Sequence, residues 1–428
     1  MMRFQNIRTK NLSEKTKEMF FMLYRTMPKS SVPLSILGYG CMRFPEHSLG
    51  RIDEKRALPL LYRAAEEGIN YFDTAYPYHM GTSEAFLGKA FEKKYRDKVL
   101  MATKLPHWSV EEPEDMERIF RQQLRNLRRD HVDFYLLHNI NGISWNRLKK
   151  LGVREWLTKL KTSGALRFFG FSFHASFGEF QGIIEDFDWD FCQIQYNYLD
   201  VENQAGRKGL EYAASRNLGV VVMGPLRGGN LAKKPPKEVE RLWNGEAQKR
   251  SPAEWGLRWV WNHPQVSTVL SGMSRMEEIE ENCEIAEGAI PDSLEERERN
   301  MLEETRKIYL GLMPVACTGC RYCIPCPQGV NIPLCFEHYN SFKLFGSRRA
   351  KFSYTSMLGG AVDGSPGLAS QCVHCGACLS KCPQKLDIPK LLDETAATME
   401  GFYTKPLTWL IRQFFRFQRK RSSSRKEE

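Results

Sequence analysis

The placement of cysteine constrains this chain more than any other feature. Of 12 cysteines in 428 residues, only Cys41, Cys192 and Cys283 lie in the first three hundred positions. The other nine fall between Cys317 and Cys382. In that stretch Cys317, Cys320, Cys323 and Cys326 recur with two residues between neighbours, and Pro327 follows. Cys372, Cys375, Cys378 and Cys382 repeat the device with three residues before the last thiol, and Pro383 follows. The likeness runs on, because Pro327-Gln328-Gly329-Val330-Asn331-Ile332-Pro333 parallels Pro383-Gln384-Lys385-Leu386-Asp387-Ile388-Pro389. The segment is therefore an internal repeat, and its uneven cysteine content marks a domain boundary near residues 293–314.

Thiols at these intervals read as metal ligands rather than disulfides. The second motif has the spacing of bacterial two-cluster ferredoxins, in which three cysteines hold one cluster and the fourth reaches across to the other. The first motif is one residue shorter before its last cysteine, yet it too ends in Cys-Pro. Two 4Fe-4S clusters are expected on this reading. Cys317, Cys320 and Cys323 are completed by Cys382, and Cys372, Cys375 and Cys378 by Cys326. Paired C-x-x-C motifs also build four-cysteine zinc sites. The third evenly spaced cysteine and the closing Cys-Pro favour iron-sulfur. Cys335, Cys41, Cys192 and Cys283 read as buried structural thiols, and His374 as a solvent-facing histidine.

Upstream of the cysteines, short apolar runs recur at residues 35–39, 71–73, 99–104, 132–138, 167–173, 191–196, 220–223 and 267–271. Between them lie helical-period segments at 55–67, 84–95, 114–128, 147–161, 209–216, 253–262 and 277–287. Alternation of this kind implies right-handed βαβ units and a parallel sheet. Eight units suit a closed (β/α)8 TIM barrel, an α/β fold whose sites gather at the C-terminal ends of the strands. Four residues of suitable chemistry fall there: Asp73, Tyr78, Lys104 and His138. A phenol is a poor acid at neutral pH unless a nearby cation favours phenolate, and a Lys held by an Asp is such a cation. His138 is then placed to polarise a substrate carbonyl. Singly, each of the four reads more readily as a turn, rim or surface group.

Together these residues resemble the aldo-keto reductases over about 32–290. The motif Phe72-Asp73-Thr74-Ala75-x-x-Tyr78 with Ser83-Glu84-x-x-Leu87-Gly88 is similar to the family's signature after the second strand. Ala102-Thr103-Lys104 and Leu136-Leu137-His138 follow in the family's order. The resemblance implies that Tyr78 is the general acid, that Asp73 and Lys104 tune it, and that His138 orients the substrate. It implies nicotinamide contacts as well: Ser172 and Gln193 to the carboxamide, and Pro225, Leu226 and Gly228 over the pyrophosphate. Ser271, Gly272, Met273, Arg275, Glu281 and Asn282 hold the adenosine end. Phe173 stands where the family has an asparagine, and Met223 where an aromatic stacks on the nicotinamide. Ser274 and Arg275 suit a 2′-phosphate while Glu278 opposes one, so NADP and NAD both stay open.

A barrel followed by two cysteine clusters resembles the ferredoxin-containing branch of the aldo-keto reductases. The expected layout is an N-terminal extension at 1–31, the barrel at 32–292, a helical linker at 293–313, a small, mostly helical ferredoxin-like domain with two clusters at 314–400, and a basic amphipathic tail at 401–428. Clusters pass single electrons and nicotinamide a hydride, so wiring the two directly needs a mediator such as a flavin. The chain has no flavin motif of its own. Three arrangements remain: a partner brings a flavin, the substrate accepts electrons singly, or the clusters are structural. The function expected is an oxidoreductase acting on a small carbonyl or alcohol with NADP or NAD, and exchanging electrons with an external ferredoxin or flavoprotein. An electron-transfer or regulatory subunit with a non-catalytic barrel is the alternative.

Composition narrows the setting. With 42% hydrophobic and 26% charged residues the chain reads as folded, and its length implies more than one domain. No apolar run approaches the roughly 20 residues of a membrane span, and the patch at 19–24 is too short for a secretory signal. A cytoplasmic location is expected. Much of the net charge of +11 sits in the tail, at Arg412, Arg416, Arg419, Lys420, Arg421, Arg425 and Lys426, and not in a nucleic-acid-binding stripe. Leu407, Leu410, Ile411, Phe414 and Phe415 share one helical face there. Such a helix docks on an anionic membrane surface or a partner, or, in the preferred reading, packs on the barrel.

Overall fold

The computed structural model describes residues 22–47, 51–317, 319, 322–346, 348–360, 366–382, 384–404, 406–410 and 413. Two compact units divide the chain, Met1–Leu302 and Glu303–Glu428. The first opens with an antiparallel hairpin of β1 (Tyr24–Thr26) and β2 (Pro33–Ser35). Eight strands follow: β3 (Leu37–Gly40), β4 (Tyr71–Asp73), β5 (Leu100–Leu105), β6 (Val132–Ile140), β7 (Leu166–Phe173), β8 (Phe191–Gln195), β9 (Gly219–Met223) and β10 (Val266–Ser271). They close into a barrel in chain order, with β10 pairing in parallel to β3. Helices α1 (Glu54–Glu66), α2 (Ser83–Phe91), α3 (Pro113–Leu127), α4 (Gly142–Lys150), α5 (Val153–Thr162), α6 (Phe177–Glu185), α7 (Gly206–Ser215), α8 (Lys237–Asn244), α9 (Pro252–Trp261) and α10 (Met276–Glu287) make the connections. This is the (β/α)8 barrel expected from the sequence.

The strands read as unbroken apolar runs because both of their faces are covered. Phe134, Tyr135, Leu136 and Leu137 in β6 and Val220, Val221 and Val222 in β9 are all buried. Helix starts follow local chemistry: Asp53 accepts from the Arg56 amide ahead of α1, Ser251 accepts from Glu254 ahead of α9, and Pro113 and Pro252 occupy first turns. Three details differ from expectation. Ser35 belongs to the hairpin, where its hydroxyl donates to Leu37 O at 2.7 Å, so the first barrel strand begins at Leu37. The segment 147–161 is two helices, not one, because Gly152 (φ 76°) is left-handed between α4 and α5. The strand β1 lies within the stretch read as an N-terminal extension.

The hairpin has a packing role. Met27 and Leu34 join Tyr71, Ala102, Phe134, Phe191 and Val221 in one apolar cluster. Tyr71 and Phe191 are the first residues of β4 and β8, so the cluster fills the N-terminal end of the barrel. Arg25 anchors the same segment by donating to Trp261 O at 2.8 Å, at the end of α9, and to Val266 O at 2.7 Å, at the start of β10.

The helix α11 (Glu296–Gly311) runs across the division between the units. The second unit carries α12 (Ile332–Phe345), α13 (Arg348–Leu358) and α14 (Ile388–Met399), and no strand among its described residues. The repeat beyond the cysteines is a repeated helix start. Asn331 and Asp387 occupy the cap positions of α12 and α14, and Pro333 and Pro389 sit in the first turns. Ile332, Phe336, Tyr339, Tyr354, Ile388, Leu392 and Met399 form the core of this unit. In the tail Leu407 is half-buried and Leu410 is exposed; Ile411, Arg412 and residues 414–428 lie outside the described residues. Among the described residues no helix is long and apolar enough to cross a membrane.

Candidate active site and cluster cysteines

Asp73 ends β4, Lys104 is the penultimate residue of β5, and His138 lies near the end of β6, so adjacent strands bring three of the four residues to one rim. Tyr78 follows β4 at a sharp turn in which His79 (φ 50°), Met80 (φ 58°) and Gly81 (φ 83°) are all left-handed. The Lys104 ammonium donates to Asp73 Oδ1 at 2.5 Å and to Thr74 O at 2.7 Å. It lies 5.1 Å from the centre of the Tyr78 ring, and the Tyr78 and His138 rings are 6.1 Å apart. Trp108 packs against His138 at 5.1 Å. Beneath them the buried Glu84 accepts from Thr103 and Gln123, each at 2.7 Å, and from Asn126 at 3.1 Å.

The strand β6 delivers His138 through an irregularity. Pairing with β7 slips between Leu137 and Ile140, and Asn139 between them is left-handed (φ 51°). The Asn139 amide donates instead to Ser172 Oγ at 2.7 Å. Burial first, then Lys104, His107 and His174, push His138 well below the usual histidine range, so its imidazole is neutral at pH 7. Its Nδ1 has no hydrogen-bond partner among the described residues. Burial would discharge Lys104, but Asp73 and Tyr78 hold it above its ordinary value. For Tyr78 the expected balance is reversed. Burial raises the phenol above its ordinary value and Lys104 offsets only part of this, so the group is a protonated phenol in the free chain.

Residues read as nicotinamide contacts line the same end of the barrel. Ser172 and Gln193 are neighbours across β7 and β8, and Gln193 donates to Asp73 Oδ2 at 2.9 Å. Phe173 is buried in the core. After β9, where Met223 is the last strand residue, Gly228 (φ 72°) and Gly229 (φ 84°) form a turn that a side chain would strain. After β10, Asn282 donates to Ser271 Oγ at 3.0 Å, and the Met273 carbonyl accepts from Tyr39 OH at 2.5 Å. Glu278 binds both Arg275, at 2.9 Å, and the Ser274 amide, at 2.7 Å, so the cation read as suiting a 2′-phosphate is paired internally. Glu281 accepts from Ser251 at 2.7 Å. Pro225 and Leu226 lead into the glycine turn. One residue the sequence reading did not single out also stands here: Arg43, after β3, donates to Gly228 O at 2.8 Å and lies against Gly272.

In the second unit one cavity is lined by Cys326 together with Cys372, Cys375 and Cys378, with Cys323, Pro325, Gly376 and Leu392 completing the wall. The last cysteine of the first motif thus stands among the first three of the second, and so does Cys323, which the crossed reading assigns to the other set. Burial first, then Cys372, Cys326 and Cys375, raise the Cys378 thiol, since thiolates gathered here repel one another without metal. A thiol-walled cavity of this donor set suits an iron-sulfur cluster. Among the described residues no three metal-binding side chains are grouped to hold a single ion. Cys320 lies outside the described residues, while Cys317 and Cys382 are half-buried and Cys323 is buried. His374 is exposed and meets Asp393 at 2.9 Å. Cys41, Cys192, Cys283 and Cys335 are fully buried.

Residues 36–296 match the model of the aldo/keto reductase family. The chain belongs to that family. This aldo/keto reductase also matches a 4Fe-4S dicluster domain over residues 316–386. It is 26% identical over 292 residues to the uncharacterized oxidoreductase YqkF of Bacillus subtilis (strain 168), covering 61% of this chain and 90% of that protein. It is 26% identical over 279 residues to L-galactose dehydrogenase of Arabidopsis thaliana, covering 60% of this chain and 86% of that one. Among solved structures, aldo-keto reductase AKR11C1 from Bacillus halodurans (holo form) superposes with a TM-score of 0.56 at 25% identity, covering 66% of this chain and 96% of that chain. The protein is an oxidoreductase of the aldo/keto reductase family with an added iron-sulfur domain.

Proposed function

We propose that the barrel reduces a small carbonyl, or oxidises the corresponding alcohol, with NADPH or NADH, and that two 4Fe-4S clusters exchange electrons with an external ferredoxin or flavoprotein. The observation that carries this reading is the buried Lys104–Asp73 pair set 5.1 Å from the Tyr78 ring, with neutral His138 beside it. In this arrangement Tyr78 holds the proton that a carbonyl oxygen must gain. Lys104 opposes the build-up of negative charge on the phenol oxygen as that proton leaves, and Asp73 keeps Lys104 charged and in place. An uncharged His138 orients the substrate oxygen by hydrogen bonding without competing for the proton.

Ser172, Gln193, the turn at Gly228 and the segment from Ser271 to Asn282 would hold the dinucleotide, whose nicotinamide supplies or accepts a hydride. The glycine turn fits that task because backbone free of side chains can approach phosphates closely. Cys317, Cys320, Cys323 and Cys382 would hold one cluster, and Cys326, Cys372, Cys375 and Cys378 the other. Clusters move electrons singly, so the reading includes either a flavin carried by the partner or a substrate that accepts electrons one at a time.

The test uses protein purified without oxygen, NADPH or NADH, and a panel of small aldehydes and ketones. Turnover that falls about a hundredfold in Tyr78→Phe, with dinucleotide binding retained, supports the reading. Equal turnover in Tyr78→Phe and wild type would remove the catalytic role. Tight dinucleotide binding with no turnover of any carbonyl would favour a regulatory barrel instead. That second reading draws on Phe173, which buries an apolar side chain in the core where the family has an asparagine next to Ser172.

A further inference from the structure

The segment that leads into Cys372 is held by two side chains to which the sequence assigns no role. Ala369–Gln371 form a single helical turn directly ahead of that cysteine. The Ala369 amide donates to Tyr354 Oη at 2.8 Å, and the Tyr354 hydroxyl donates in turn to Glu400 Oε1. The Ser370 amide donates to the same Glu400 oxygen at 3.0 Å. Tyr354 is fully buried in α13 and Glu400 directly follows α14, so the turn is tied to both helices. The neighbouring amides are spent as well. Leu368 donates to Gln371 Oε1 at 2.8 Å, Gln371 to Leu368 O at 3.2 Å, and Cys372 to Ala369 O at 3.1 Å. Every backbone amide from Leu368 to Cys372 therefore donates to an oxygen of the protein. The Gln371 side chain donates to Gln328 O at 3.3 Å, two residues past Cys326, so the turn also joins the two cysteine motifs.

We infer that Tyr354 and Glu400 are positioning residues that keep the amides ahead of Cys372 away from cluster sulfur, and so hold the cluster of Cys372, Cys375 and Cys378 at a low potential. The inference rests on the iron-sulfur reading given above. It needs only that these three cysteines share one cluster, whether the fourth ligand is Cys326 or Cys382. An N–H aimed at sulfur eases reduction, because it stabilises the negative charge that the added electron brings; a nearby carboxylate acts the other way. At this turn the Tyr354 hydroxyl and the Glu400 carboxylate take the amides of Ala369 and Ser370, and Glu400 brings its charge to the same corner. Without the hydroxyl the Ala369 N–H loses its acceptor and is free to turn to sulfur. A pair that merely braced the fold would change cluster content when removed, whereas this pair should change the potential of a cluster that is still present.

The test is a redox titration of the full chain, purified without oxygen and followed by electron paramagnetic resonance, in wild type, Tyr354→Phe and Glu400→Gln. Cys375→Ala, which removes a ligand of the cluster in question, identifies its signal. Freeing one amide in Tyr354→Phe should raise the midpoint of that signal by about a tenfold change in the ratio of reduced to oxidised cluster, or about 59 mV for one electron. Glu400→Gln keeps an accepting oxygen but loses the charge, and should shift the same midpoint upward. The signal of the other cluster should move much less, with iron and sulfide content equal to wild type. Unchanged midpoints in variants with full iron overturn the role of the pair and leave the cluster reading standing. If Tyr354→Phe loses its iron, Glu400→Gln decides; loss from both shows a structural brace only and overturns the inference. A wild-type protein without iron-sulfur clusters overturns both readings.

Discussion

Asp73 is gripped through both of its oxygens, by Lys104 at Oδ1 (2.5 Å) and by Gln193 at Oδ2 (2.9 Å). The resemblance to the family assigns Gln193 to the cofactor, yet in the free chain its amide serves the carboxylate beneath Tyr78. Gln193→Leu should leave Oδ2 buried without a donor, a loss of about 1–3 kcal/mol. Urea unfolding of the barrel with an unchanged midpoint would show that the contact carries no weight.

Acid should loosen the barrel rim before the rest of it. Burial, with Arg147 adding to it, pushes His107 down to about 4 from an ordinary 6.5. The unfolded chain therefore takes up a proton between those values and the folded chain does not. Stability from this group is complete above about pH 6.5 and is lost as pH falls toward 4. His138 and His174 are shifted in the same direction and steepen the loss. The unfolding midpoint of His107→Gln, followed between pH 7 and pH 4, should fall less steeply than that of wild type; parallel curves would exclude His107 as the cause.

Cluster wiring can be read from two single variants. With Cys326 beside Cys372, Cys375 and Cys378, Cys326→Ala should damage the same cluster as Cys375→Ala. Cys382→Ala should spare that cluster and damage the one held by Cys317, Cys320 and Cys323. Iron and sulfide content with electron paramagnetic resonance of the reduced protein separates the cases. If Cys326→Ala and Cys323→Ala give the same residual signal, the ligands are sequential.

Gly88 offers a stability test remote from any chemistry. Alanine gains about 1 kcal/mol over glycine inside a helix, which alone would stabilise α2. The added Cβ would however stand 2.2 Å from Asn126 O and 2.9 Å from Leu127 Cα, against the backbone of α3. Backbone cannot swing aside as a side chain can, so Gly88→Ala should lose about 2 kcal/mol net. A midpoint at or above that of wild type would mean that α3 gives way easily.

The barrel was legible because its strands are buried on both faces and therefore spell unbroken apolar runs, as in Val220, Val221 and Val222. The hairpin was not, because a strand of three residues, Tyr24–Thr26, has no period to detect. Gly152 shows a different difficulty: glycine inside a helical pattern is common, and only its left-handed backbone breaks the helix. The iron-sulfur domain was legible from spacing, since three evenly spaced cysteines and a fourth followed by proline recur twice. Arg43 was not, because its partners Gly228 and Gly272 belong to loops far along the chain, and two glycines carry no sign of what crosses them. The upward direction of the Tyr78 shift could not be read either. It depends on how deeply the ring is buried, which the presence of a lysine and an aspartate does not reveal.

The plug formed by Met27 and Leu34 makes the barrel a vessel with a floor. Any two molecules that meet at the Tyr78 rim must pass through the same opening. Whichever lies deeper has to arrive first and leave last. An order of binding is then expected, and a full cycle ends with the deeper guest's departure.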